Sequence, residues 1–94
     1  MEESIVMLVR SNKMINMCDV IKENVCTLSV TKHDEQCEYI NKSQLCLSIL
    51  HSIPSCVLKI SSIDSDFYGT WKFMIESQEG DKATQPTITH ITVL

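Results

Sequence analysis

The sequence predicts an all-β fold, a sandwich of two sheets with about seven short strands, and three observations carry that expectation. Apolar residues recur at every second position in short runs, the period of a half-buried strand. Polar turn clusters interrupt the runs at intervals of about 8 to 12 residues, the spacing of strands in a sandwich. The 94 residues match the length of one such domain, so the chain is expected to be a single domain over 1–94.

Taken in order, Val6, Leu8 and Arg10 alternate with Met7 and Val9 until the turn pair Ser11-Asn12. Met14, Asn16, Cys18 and Val20 then share one face, with Ile15, Met17 and Asp19 on the other, up to Lys22-Glu23-Asn24. Cys26, Leu28 and Val30 alternate with Thr27, Ser29 and Thr31, a composition that suits a pleated surface, and stop at Lys32-His33-Asp34-Glu35. Leu45, Leu47 and Ile49 form a fourth run, closed by Ser52-Ile53-Pro54-Ser55, where proline lacks a ladder donor. Cys56, Leu58 and Ile60 face one way in the fifth.

The clearest alternation is Gly69, Trp71, Phe73 and Ile75 against Thr70, Lys72, Met74 and Glu76. Gln78, Glu79, Gly80, Asp81 and Lys82 read as a hairpin loop, and Pro86 to Leu94 closes the domain. Ile88 is out of phase with Ile91 and Val93, which predicts a bulge near Thr89 and His90. Val20 to Cys26 and Lys42 to His51 also accept a 3.6-residue period, so a helix competes at both places.

Composition bounds the function. Hydrophobic residues are 44% and charged residues 21%, too apolar for a disordered chain. The net charge is −4 and the eight basic residues are scattered in sequence, which argues against nucleic acid as a partner. No apolar run approaches the ~18 to 20 residues of a membrane span. The acidic start Met1-Glu2-Glu3 is unlike a signal peptide, so an export signal or anchor is expected outside this sequence.

Five cysteines, Cys18, Cys26, Cys37, Cys46 and Cys56, in so small a domain point to disulfides and an oxidising compartment. Their odd number leaves at least one thiol unpaired, and the connectivity stays open at this level. Asn41-Lys42-Ser43 is an N-glycosylation sequon and points to the same compartment.

Leu58, Ile60 and Ile63 followed by Gly69-x-Trp71-x-Phe73 resemble the run from strand E to strand F of immunoglobulin-like domains, with Gly69 in place of the small turn residue. The likeness is greatest to arthropod-type variants that read Gly-Thr-Trp on strand F, with Cys56 two residues before the first strand-E apolar position. Upstream, Val6-x-Leu8, Ser11-Asn12 and Met14-x-Asn16-x-Cys18 resemble strands A′ and B leading to the first framework cysteine.

Three departures qualify the resemblance. Phe67 stands where the family aspartate belongs, with Asp66 one place early; Trp71 replaces the corner tyrosine; and Phe73 replaces the second framework cysteine. The resemblance therefore implies that Cys18 is a free thiol packed against Phe73, that Cys26 and Cys56 pair, and that Cys37 and Cys46, which bracket Asn41, pair too. It also implies a protein-protein recognition module, extracellular or secreted, of the adhesion or immune type, with a cell-surface protein as partner and homo-oligomerisation allowed. The hairpin Ser77 to Ala83 and the connection Lys22 to Asn24 are expected at one end of the sandwich as its binding surface. The alternatives are a small intracellular β protein with reduced cysteines that oligomerises, and a fragment of a larger receptor.

No reactive constellation competes with that expectation. The gaps between cysteines do not fit paired zinc ligands, and His33-x-x-x-Cys37 is the one near pair. No signature links a thiol to His33, His51 or His90, Glu2-Glu3 and Asp34-Glu35 read as solvated charges, and two glycines cannot make a phosphate loop. No enzyme activity, metal or cofactor is expected.

Overall fold

The computed structural model describes residues 3–94; Met1 and Glu2, and with them the acidic start, lie outside the described residues. Among the described residues nine strands form two antiparallel sheets: β1 (Ile5–Arg10), β2 (Met14–Lys22), β3 (Cys26–Thr31), β4 (Glu35–Ile40), β5 (Ser43–Leu50), β6 (Ser55–Ile60), β7 (Gly69–Glu79), β8 (Lys82–Ala83) and β9 (Thr87–Val93). One sheet has the order β1-β6-β5-β4. The other runs β3-β2-β7, and the far edge of β7 holds β9 along most of its length and β8 at its end. The two sheets pack face to face, so the all-β sandwich expected from the sequence is the fold observed.

Two of the nine strands have no counterpart in the sequence pattern. β4 lacks alternation because it is an edge strand whose residues Glu35 to Tyr39 are all exposed, and β8 has only two residues. Both segments that also accepted a helical period are extended. β2 continues through Val20 to Lys22, and Leu45, Leu47 and Ile49 of β5 all point into the core.

The faces differ from the simple alternation in two strands. A bulge between Ile15 and Met17 adds one residue to β2, so Ile15 turns inward with Cys18 and Val20 and the face read from Met14 and Asn16 is broken there. β9 has no bulge: Thr89 and His90 stay in register with Phe73 and Lys72, and Ile88 is simply exposed on the outer face. On β1 the inward residues are Ile5, Met7 and Val9, while Val6 and Leu8 are exposed, so the apolar pair of the A′-strand resemblance does not reach the core.

The core lies under β7. Trp71 and Phe73 are fully buried, as are Leu58 and Ile60 of β6 and Leu45 and Leu47 of β5 in the facing sheet, each such side chain contributing about 1.5 to 3 kcal/mol by its removal from water. Ile63 packs against this cluster half-buried. Phe67 fills the place expected of an aspartate: it is fully buried in a turn of 3-10 helix, Ser65–Phe67, capped by the Asp64 carboxylate. The Trp71 indole N–H donates to the Phe67 carbonyl at 2.9 Å, and the two rings lie tilted with centroids 6.1 Å apart. Gly69 enters β7 with φ +107°, backbone that a side chain rarely adopts.

Candidate functional site

The register of the sheets sets the cysteine pairing. β2 and β7 are neighbours in one sheet, with Cys18 opposite Ile75 and Val20 opposite Phe73. Cys18 therefore points across to the other sheet and not at Phe73, and it is bonded to Cys56 of β6. The expected Cys26–Cys56 pair is corrected by the same geometry: Cys26 sits opposite Lys22 at one end of β3, four positions along β2 from Cys18, while Cys56 lies across the core from Cys18. Cys26 is thus the free thiol in place of Cys18, and burial pushes its pKa up, with the Glu38 carboxylate adding to the effect.

Cys37 and Cys46 are bonded, as expected; they are directly opposite each other on β4 and β5. Glu35 lies within 4.8 Å of both sulfurs, but a bonded pair offers no thiolate to a metal.

Four connections gather at one end of the sandwich. The β1–β2 loop (Ser11-Asn12-Lys13) meets the β5–β6 connection through the Ser11 amide, which donates to the Pro54 carbonyl at 2.9 Å. It meets β7 through a 3.1 Å bond between the Ser11 and Ser77 hydroxyls. The β3–β4 loop (Lys32-His33-Asp34) joins the same group: His51 donates through Nε2 to the Lys32 carbonyl, and the His33 and His51 rings lie 5.7 Å apart. The fourth connection is the β7–β8 turn at Gly80-Asp81, where Gly80 takes φ +62°.

The hairpin expected from the sequence is therefore shorter than read. Gln78 and Glu79 end β7, Lys82 opens β8, and only Gly80 and Asp81 make the turn. Its expected partner is also different. Because β2 runs antiparallel to β7, the Glu23-Asn24 turn lies beside Lys72 and Gly69 at the opposite end, and the loop that shares the end with Gly80-Asp81 is Ser11 to Lys13.

Both signs of charge meet at this end. Arg10, Lys13, Lys32 and Lys82 lie in or beside the four connections, together with Asp34, Glu35, Glu79 and Asp81. Lys13 and Glu79 form an ion pair at 2.9 Å, which holds the exposed Glu79 carboxyl below its usual range. A concavity of about 520 Å³ lies among Asn16, Lys32, His33, Gln78 and Asp81.

The opposite end carries the sequon. Asn41 is exposed in the two-residue β4–β5 turn with φ 57°, and its amide donates to Asp64 at 3.1 Å. Ser43 of the sequon is buried, with its hydroxyl 2.9 Å from that of Ser62. The Asp64 carboxyl is held below the usual range, chiefly by the Asp66 backbone amide and with help from Asn41. Among the described residues no helix is long and apolar enough to cross a membrane. Comparisons of the chain with protein families, with curated proteins and with solved structures find no match.

Proposed function

We propose that this chain is an immunoglobulin-like recognition domain that acts outside the cell by protein-protein contact and carries no catalysis. The observation that carries the reading is the gathering of the β1–β2, β3–β4 and β7–β8 connections at one end, since sandwiches present recognition loops at their ends.

The strand order supports the fold assignment. With β1, β5 and β6 as strands B, D and E, and β2, β3, β7 and β9 as C, C′, F and G, these seven strands follow the orders B-E-D and C′-C-F-G of the variable-type arrangement. The resemblance then holds with each early strand moved on by one: Cys18, not Cys26, is the strand-C cysteine that reaches strand E. The Trp71 bond to the Phe67 carbonyl takes the place of the corner tyrosine's bond to upstream backbone. β4 departs from the arrangement, because it pairs with β5 and not with β3. Two disulfides and an exposed asparagine in a sequon support an extracellular setting.

The partner surface sets an acidic group against Lys32 and a basic one against Asp81, to complement the mixed charges of this end. The test is binding of the folded domain to a panel of purified cell-surface ectodomains, followed by charge reversal at each end. Lys32→Glu with Asp81→Lys weakens a positive interaction at least tenfold, and Glu23→Lys with Lys42→Glu at the far end leaves it unchanged. The opposite pattern contradicts the reading.

A further inference from the structure

The two long sides of the sandwich are unlike each other. On one, the edge strands β3 and β4 are joined by the Lys32-His33-Asp34 connection and by the Gln36 side chain, which accepts from the Ser29 amide at 3.0 Å. On the other, the edge strands are β1 and β9, each paired on one side only, so alternate backbone groups of both face outward without a ladder partner. A cleft of about 750 Å³ runs between them. Its apolar lining comes from Ile75 and the inward-facing Val9, and Thr87 and Thr89 of β9 form one wall.

The cleft rim is cationic on a chain of net charge −4. Arg10, Lys13, Lys82 and Glu79 line it; Lys13 and Glu79 neutralise each other, and among the described residues Arg10 and Lys82 have no carboxylate partner. Unpaired strand edges, an apolar lining and two unmatched cations together specify a ligand: an extended chain with apolar side chains on one face and carboxylates on the other. We infer that the β1–β9 side of the sandwich takes an extended acidic segment of a protein partner, which adds to β9 as a further strand and sets its carboxylates against Arg10 and Lys82.

This inference does not rest on the loop-end reading. A partner that docks only on the loops leaves the edge of β9 unpaired, and a segment held in the cleft needs neither Lys32 nor Asp81.

The test uses end-capped nine-residue peptides that alternate valine with glutamate, added to the intact 94-residue chain and followed by amide exchange and chemical shifts. The expected result is slowed exchange at alternate amides of β9, with shifts at Val9, Ile75 and Thr89. Replacement of glutamate by lysine, or a central proline in the peptide, weakens binding at least tenfold. The double variant Arg10→Glu with Lys82→Glu does the same while its unliganded spectrum keeps the dispersion of the folded chain; should that variant unfold, the lysine peptide on the unmodified chain remains the charge test. Absence of binding at millimolar peptide, protection at β3 or β4 in place of β9, or equal affinity for the lysine peptide overturns the inference.

Discussion

Cys18 and Cys56 join the two sheets through the middle of the core, from the strand beside β7 to the strand beside β5, and both are fully buried. The bridge closes a loop of 38 residues, whereas the exposed Cys37–Cys46 bridge spans 9 along a hairpin already held by its own ladder. On chain entropy alone the longer loop contributes about 4 kcal/mol and the shorter about 2.5. Cys18→Ala with Cys56→Ala therefore lowers the denaturant midpoint much further than Cys37→Ser with Cys46→Ser. Equal losses in urea titrations contradict this ranking.

The Trp71 indole supplies both volume and the partner of a carbonyl. Trp71→Phe leaves the Phe67 carbonyl buried without its donor and opens a cavity, a loss of about 2 to 4 kcal/mol. Chemical unfolding measures it. A cost below about 1 kcal/mol means that the bond does not hold the 3-10 turn to β7.

Gly69 combines positive φ with the near approach of Lys22 Nζ, 3.3 Å from where a β-carbon would sit. Gly69→Ala is expected to cost about 1 to 3 kcal/mol, most of it from the backbone, because the lysine end can move aside. Lys22→Ala in the same background recovers little. Full recovery places the cost in the contact instead.

The carboxyl of Asp64 is more acidic in the folded chain than in the unfolded one. Its contribution is thus present above about pH 4, the unfolded value, and is lost as pH falls through the lower native value. Asp64→Asn should flatten the fall of the denaturant midpoint between about pH 4 and pH 2. An unchanged slope contradicts the linkage.

Much of the fold was legible because it depends on local alternation. Leu45, Leu47 and Ile49, Leu58 and Ile60, and Trp71 and Phe73 all point inward as their period of two requires. β4 was not legible, since an edge strand with no buried face has no alternation to read. The β2 bulge was hidden for another reason: one inserted residue at Asn16 shifts the phase, and only the partner strand reveals it. The disulfide partner of Cys56 and the end of the sandwich at which the proposed binding loops meet share a single cause. Both depend on β2 lying next to β7, a long-range pairing that spacing along the chain does not encode.

That pairing is also what brings Ser11–Lys13 to the Gly80-Asp81 end, so the disulfide map tests it most directly. Peptide mapping of the non-reduced protein should recover Cys18 linked to Cys56, Cys37 linked to Cys46, and Cys26 as the alkylated thiol. Recovery of Cys26 linked to Cys56 would move β3 into the place of β2 and remove the basis for the proposed recognition end.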